Sequence, residues 1–190
     1  MDDLGEKLVE RARSGDPEAF KDMVRSFGPR LFSYLAGRLK SREAAEDAYA
    51  EVWMRVWKGL ASYQSLGKFQ PWLFTIAHRL SLDLLEREAG RASVSIDAAP
   101  DEEGLPLSER WPSGEPGPER EAMGRQAWEK VSAVLESLPE EQRQVFLLRE
   151  FGGLSFAEIA AAMDCPLGTA LARMRYAVLK LRQELEGFHA

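Results

Sequence analysis

The sequence predicts an all-α protein in which two helical domains are joined by an acidic, proline- and glycine-rich linker. In both halves of the 190-residue chain, apolar residues recur every three to four positions, the spacing that places them on one face of a helix. No segment shows the sustained apolar/polar alternation of a half-buried strand. Between the halves lies a stretch of proline, glycine and acidic residues that favours neither element.

The predicted linker spans residues 91–121 and separates predicted domains at 1–90 and 122–190. It carries eight acidic and three basic side chains, against a net charge of −6 for the whole chain. The acidity is therefore concentrated in the linker, and each domain is close to neutral. Five prolines and three glycines between residues 100 and 118 remove backbone donors and add chain entropy, which predicts an extended, flexible connection.

In the N-terminal half, capping residues and prolines predict where helices begin and end. The pair Asp16-Pro17 supplies an N-cap and a first-turn proline, and Ser41 caps a later helix. The pair Gly28-Pro29 predicts a break or kink between them. The polar stretch 61–70 predicts a loop, after which Pro71 opens the next helix.

Four helical segments are predicted in the C-terminal half. The first runs from about Glu121 to Leu138, and Pro139 opens a second that ends at Gly152-Gly153. The last two segments form a helix-turn-helix, and they start at two separate signals.

The first signal is the capping-box pair Ser155 and Glu158, which starts a short helix through Met163. The second is the stretch 166–169, which starts a last helix reaching about residue 187. A short helix, a tight turn and a longer basic helix is the helix-turn-helix arrangement, whose second helix enters the major groove of DNA.

Composition excludes several functional classes. The apolar runs are too short to cross a bilayer, so no membrane insertion is predicted, and the N-terminus is acidic where a signal peptide is basic. The single cysteine, Cys165, has no partner for an internal disulfide, which predicts a reducing, cytoplasmic environment. Neither Cys165 nor His78 has neighbours at metal-ligand spacing, and we interpret His78 as a surface or core residue. We expect no catalytic residue, no metal and no cofactor, and therefore no enzyme.

The last predicted helix carries side chains suited to DNA. The alternative is an ordinary helical hairpin with solvated basic residues. A second feature of the same helix is an apolar stripe of Leu171, Met174, Val178 and Leu185, which is either core or a protein-binding face. The candidate DNA-binding residues on or near this helix are Thr169, Arg173, Arg175, Tyr176 and Lys180.

Two aromatic features stand out in the N-terminal half. Trp53 and Trp57, one helical turn apart, are either a ligand-stacking pair or core, and the apolar stripe they share favours core. The loop that follows combines aromatics, small polar groups and a cation, which are the ingredients for holding an unstacked base. The alternative is a surface loop with two half-buried aromatics. The loop residues concerned are Tyr63, Gln64, Lys68 and Phe69.

Two groups of motifs together resemble one family. The segments Glu43–Ala48, Val52–Trp57, Phe69–Ala77 and Asp83–Leu85 resemble region 2 of bacterial sigma factors. The segments Leu138–Glu150, Gly153–Ala160 and Pro166–Thr169 resemble region 4. Two such regions joined by a short linker are similar to the extracytoplasmic-function (ECF) group of the sigma-70 family.

The resemblance implies a factor that binds core RNA polymerase and directs promoter-specific transcription initiation, with an anti-sigma protein as regulator. One helix would face the polymerase, through Asp47, Glu51, Arg55 and Lys58. The loop and the helix after it would hold and melt the −10 element, through Tyr63, Gln64, Lys68, Phe69, Trp72 and Arg79. The helix-turn-helix would contact the −35 element, through Arg149 and the residues of the last helix named above.

The last helix departs from the family pattern at four positions, Ala170, Leu171, Tyr176 and Val178. Arg173 occupies a family-matching position, so we expect it to read bases. Arg175 lies about 200° away round the helix, so we expect it to touch phosphate or solvent.

Two other functions remain open on the sequence. One is a regulatory sigma mimic that binds a partner but no promoter, since fewer cations mean fewer phosphate contacts. The other is a helix-turn-helix repressor whose N-terminal half dimerises or senses a ligand.

Overall fold

A computed structural model describes residues 2–39, 41–64, 67–94 and 130–186 of the chain, and every regular element within these ranges is a helix. The N-terminal helices are α1 (Asp2–Arg13), α2 (Pro17–Arg38), α3 (Arg42–Gly59) and α4 (Phe69–Val94). The C-terminal helices are α5, described over 130–137, α6 (Glu140–Glu150), α7 (Phe156–Ala162) and α8 (Leu167–Glu186). The all-α prediction is confirmed.

Three predicted helix starts are confirmed by their caps. The Asp16 side chain accepts a hydrogen bond from the Glu18 N–H at the start of α2, and Pro17 follows it directly. The Ser41 hydroxyl accepts from the Ala44 N–H at the start of α3. At α7, Ser155 and Glu158 form both hydrogen bonds of a capping box. Each cap satisfies amide groups that have no partner within the helix.

Of the break or kink predicted at Gly28-Pro29, the break is wrong, because α2 continues through Pro29 to Arg38. A proline inside a helix costs about 3 kcal/mol through the lost hydrogen bond and the ring clash. Burial on both sides offsets that cost, since Phe27 and Leu31 are both buried. Gly28 serves packing instead, because a Cβ there would lie 2.4 Å from the Tyr49 hydroxyl of α3.

Helix α4 is longer than the sequence predicts at both ends. It begins at Phe69 rather than at Pro71 and continues to Val94, four residues into the predicted linker. The rest of that linker and the predicted start of α5 near Glu121 lie outside the described residues.

The chain divides into two compact units, one with α1–α4 and one with α5–α8. In the N-terminal unit α1 packs on α2 and α4, α2 packs on α3 and α4, and α3 packs on α4. In the C-terminal unit α8 packs on both α6 and α7. None of the helices described here has the length and apolar character needed to cross a bilayer.

Candidate functional surfaces

Helix α3 presents an exposed face that combines apolar and charged side chains. Its inner face buries Ala45, Ala48, Val52, Trp53 and Val56, the three-to-four-residue spacing of a core-facing stripe. The outer face carries Asp47, Met54, Trp57 and Lys58, all exposed.

The assignment of Trp57 to the core is wrong. Its side chain is 61% exposed, whereas Trp53 is 6% exposed. The four-residue step from Trp53 carries Trp57 past the edge of the buried stripe. One edge of the Trp57 ring is supported by Phe20 of α2, at a centroid distance of 5.0 Å, so the indole is held in place while most of its surface stays open.

The charged residues of α3 are partly paired with one another. Arg55 donates to the Glu51 carboxylate at 2.8 Å, and both side chains are partly exposed. That hydrogen bond lowers the pKa of the Glu51 carboxyl. Because Glu51 and Arg55 neutralise each other, Asp47 and Lys58 carry the outer charges available to a partner.

The loop between α3 and α4 is held in place by α1. One Glu6 carboxylate oxygen, Oε1, accepts from the Tyr63 hydroxyl, from the Lys68 N–H at 3.1 Å and from the Phe69 N–H at 3.2 Å. The guanidinium of Arg13 donates to the Leu60 carbonyl at 3.1 Å and also to the Tyr63 carbonyl. Two side chains of α1 therefore fix both ends of the loop.

The two loop aromatics form part of the core, which corrects the expectation that they offer open ring faces. Phe69 is fully buried and Tyr63 is 8% exposed. The Phe69 ring packs against Phe27 at 5.2 Å, and the Tyr63 ring against Trp72 at 4.7 Å. A ring enclosed on both faces by protein has no face left for a base.

Gly5 of α1 explains how the Phe69 ring fits. A Cβ at Gly5 would lie 2.8 Å from the Phe69 side chain, closer than real Cβ contacts. Only glycine lets α1 approach the ring this closely. The N-terminal helix is thus part of the structure that shapes the loop.

The polar members of the predicted −10 set have a different placement. Gln64 and Lys68 are exposed in the loop, and Arg79 is exposed on α4. Trp72 is half-buried. The side chains of Gln64, Lys68 and Arg79 are therefore open to contact, and that of Trp72 is partly open.

His78 is a core residue, one of the two placements expected for it. It is 1% exposed, and its Nδ1 lies 3.0 Å from the Tyr34 hydroxyl. Burial, followed by the positive charges of Arg38 and Arg79, lowers the pKa of His78 from 6.5 to about 4. The imidazole is neutral at physiological pH. Among the described residues no cluster of three His, Cys, Asp or Glu side chains is arranged to hold a metal ion.

Helix α8 buries one side and exposes the other. Ala170, Ala177 and Leu181 are buried. At 100° per residue, Arg173 lies about 60° from the centre of this buried side and Arg175 about 140° from it. Accordingly, Arg173 is half-buried and Arg175 is exposed. The predicted roles of the two arginines in base and phosphate contact stay predictions.

The other candidates on α8 lie beside these two. Tyr176 is 61% exposed, while Thr169 and Lys180 are half-buried on the flank that carries Arg173. The Lys180 ammonium donates to Glu184 at 2.6 Å. Arg149 of α6 donates to the Leu154 carbonyl at 2.7 Å and lies over the Phe156 ring at 5.1 Å, so it braces the start of α7.

Part of the predicted apolar stripe of α8 is exposed, which contradicts a core role for those residues. Leu171 and Val178 are each 45% exposed, and Met174 is half-buried. The side chain of Leu185 lies outside the described set. Leu167 and Leu179 are exposed as well, so apolar side chains alternate with cations on the outside of the helix.

Sequence reasoning missed three residues of these surfaces. Met54 could not be predicted as a surface residue of interest, because a single methionine among charged residues forms no recognisable local pattern. Glu6 and Arg13 were missed because their loop contacts span 47 residues or more of sequence, and no local pattern reports such contacts.

Comparisons with known proteins agree on one family. The model of Sigma-70 region 2 matches residues 23–91, and that of Sigma-70 region 4 matches residues 128–181. The chain is 32% identical over 171 residues to the ECF RNA polymerase sigma-E factor of Escherichia coli (strain K12), covering 88% of this chain and 86% of the relative. It is 29% identical over 183 residues to the RNA polymerase sigma-H factor of Pseudomonas aeruginosa, covering 95% and 94%.

A solved structure shows the same fold. It contains the sigma factor RpoE in complex with the anti-sigma factor NepR from Bartonella quintana, and it matches with a TM-score of 0.68 at 22% identity. The match covers 89% of this chain and 98% of that one.

Proposed function

Because this chain belongs to the extracytoplasmic-function group of the sigma-70 family, we propose that it binds core RNA polymerase through the outer face of α3 and promoter DNA through the α3–α4 loop and α8. It directs promoter-specific transcription initiation. One observation supports all three proposed surfaces. The outer face of α3, the α3–α4 loop and α8 each expose side chains that the rest of the same unit does not cover.

The polymerase-binding surface is centred on Met54 and Trp57. These side chains are 51% and 61% exposed, and large apolar groups surrounded by charges are typical of the central part of a protein interface. Asp47 and Lys58 lie on the same face and supply charges of both signs. The Glu51–Arg55 pair completes the rim.

The −10 surface consists of the polar side chains of the α3–α4 loop and α4. Lys68 and Arg79 supply positive charge for phosphate, and Gln64 supplies an amide that pairs with base edges. Tyr63 and Phe69 contribute indirectly, since their buried side chains hold the loop in its conformation. Trp72 is the aromatic member of this set that is partly exposed, so we assign the contact with an unstacked base to its ring.

The −35 surface is the outer side of α8. Arg175 extends from the side opposite the core, where a helix in the major groove meets base edges. Arg173 and Thr169 lie on one flank, where the sugar-phosphate backbone runs. We therefore assign base contact to Arg175 and phosphate contact to Arg173. Arg149 supports this arrangement by fixing the start of α7.

Regulation and location follow from the same assignment. We propose that an anti-sigma protein binds this chain, since the similar RpoE was solved with its anti-sigma factor NepR. Such a factor contributes binding and positioning while RNA polymerase performs the chemistry, so we propose no enzymatic activity for this chain. The proposed site of action is the cytoplasm, where polymerase and promoters meet.

The test is in vitro transcription with core RNA polymerase over a library of random promoters. The proposed function requires the chain to enrich one pair of sequence elements with a constant spacing. Binding to core polymerase without any enriched promoter would identify a sigma mimic. Failure to bind core polymerase, together with specific duplex binding, would identify a repressor.

The polymerase surface has its own experiment. We expect the double variant Met54→Ala, Trp57→Ala to bind core polymerase about tenfold or more weakly, because truncating central apolar groups costs about 2 kcal/mol or more. Leu4→Ala is the control, since Leu4 is also an exposed apolar residue, at 45%, but on a different helix, α1. Asp47→Lys should weaken binding by a smaller factor. Unchanged competition for core polymerase by the double variant would show that this face is not the docking surface.

A further inference from the structure

We propose that Leu171 of α8 contacts the C5-methyl group of a thymine in the −35 element, so that this chain selects its promoters partly by an apolar contact. This inference rests on the proposed function, since it requires α8 to enter the major groove. It adds a specificity-determining residue and names the base that the residue prefers.

The first support is the position of Leu171. It lies in the second turn of the helix, and the N-terminal residues of a recognition helix are those that reach base edges. Its side chain is 45% exposed. Leu171 and Arg175 are four residues apart, so their side chains are neighbours on one face. An apolar group and a cation therefore reach outward together from the part of α8 nearest its start.

The second support is the charge around it. The segment 167–183 contains four basic residues and no acidic residue. Of the four, Arg175 and Arg182 are exposed on the face of Leu171. A helix face that exposes leucine beside cations fits a polyanion that also presents apolar groups. In the major groove the thymine methyl is the apolar group among the base-edge features, and guanine offers two acceptors to an arginine. Leu171 with Arg175 thus matches an element in which thymine lies next to guanine.

The experiment removes single methyl groups from DNA. Holoenzyme formed from the full chain and core polymerase first selects a promoter from the random library. Each thymine of the −35 element, on either strand, is then replaced singly by deoxyuridine, which lacks only the C5-methyl. We expect promoter binding by the parent to fall about fourfold at one position, since burying a methyl-sized group contributes about 0.8 kcal/mol.

Two variants assign that effect to a residue. Leu171→Ala should bind the thymine and deoxyuridine promoters equally well. Leu179→Ala is the matched control, because Leu179 is also exposed, at 43%, on the same helix but about 12 Å further along its axis. The control should keep the fourfold difference shown by the parent.

Several results would overturn the inference. They are a flat deoxyuridine scan, a selected −35 element without thymine, or a methyl effect that persists in Leu171→Ala. A Leu171→Ala holoenzyme with unchanged affinity for the promoter would likewise overturn it and leave the apolar face to a protein partner. If the parent holoenzyme enriches no promoter at all, the proposed function fails, and this inference fails with it.

Discussion

The α3–α4 loop and helix α8 are the two parts of the chain proposed to bind DNA, and they are built in opposite ways. The loop is held by contacts from elsewhere: Glu6 and Arg13 bind its ends, and its aromatics Tyr63 and Phe69 are buried. Helix α8 forms from local hydrogen bonds, buries mainly alanines, and leaves Leu171 and Arg175 exposed.

This difference predicts how substitutions affect each surface. In the loop, the residues that shape the DNA-binding surface are also core residues, so function and stability change together. On α8, the exposed side chains can be exchanged while the fold stays the same. Of the four positions where we expect this chain to depart from the family pattern, Leu171, Tyr176 and Val178 are exposed and Ala170 is buried. Substitutions at exposed positions usually change stability by less than about 0.5 kcal/mol.

The largest expected effect is at Phe69. Phe69→Ala should lower the free energy of unfolding of the N-terminal unit by about 3–5 kcal/mol, because it removes a fully buried aromatic ring. Leu171→Ala on α8 should change stability by less than about 0.5 kcal/mol. Urea unfolding, with hydrogen exchange to separate the two units, measures both. A Phe69→Ala chain as stable as the parent would contradict the contrast between loop and helix.

Acid should destabilise the N-terminal unit through His78. The folded state keeps this imidazole neutral down to about pH 4, whereas the unfolded chain protonates it near pH 6.5. Between these values the unfolded state binds more protons, so stability falls as the pH falls. We expect a loss of about 2 kcal/mol between pH 7.5 and pH 5.

The control for the acid effect is His78→Gln, which has no titrating ring at this position. The difference between parent and variant, measured by urea unfolding at each pH, isolates the histidine from the carboxylates. The C-terminal unit has no histidine among its described residues, so its hydrogen exchange should show no matching change. Parallel pH profiles for parent and His78→Gln would disprove the assignment.

Glu6 tests whether the loop depends on α1. Glu6→Ala removes the acceptor for the Tyr63 hydroxyl and for two backbone N–H groups, and we expect a stability loss of about 1–2 kcal/mol. Promoter melting, followed by permanganate reactivity of the −10 element, should decrease while core-polymerase affinity stays the same. Glu6→Gln retains one acceptor oxygen and should lie between parent and Glu6→Ala. Equal melting by all three would show that the tether does not shape the DNA-binding loop.

The smallest effect is expected at the capping box of α7. Ser155→Ala should cost about 1 kcal/mol in the C-terminal unit, because the hydroxyl that accepts from the Glu158 N–H is lost. Ser155→Asp is the control, since aspartate also caps helices. The N-terminal unit should be unaffected by either change. A loss that Ser155→Asp shares in full would point to a cause other than capping.

The helices and most of their starting residues could be predicted from the sequence. Asp16, Ser41 and the Ser155–Glu158 pair act within one turn of chain, so the physical cause and the pattern lie in the same few residues. The family motifs likewise lie in continuous segments, which is why the assignment to sigma regions 2 and 4 needed no structure.

Which side chains are exposed to a partner depends on the tertiary structure. Helical spacing places Trp53 and Trp57 on one side of α3. The part of that side covered by α2 and α4 includes Trp53 but not Trp57, so one indole is buried and the other is exposed. Pro29 stays inside α2 because packing outweighs a local penalty. Tyr63 and Phe69 are buried because Gly5 and Glu6, some 60 residues earlier, fit against them. Exposure depends on which distant segments cover a residue, and no local pattern contains that information.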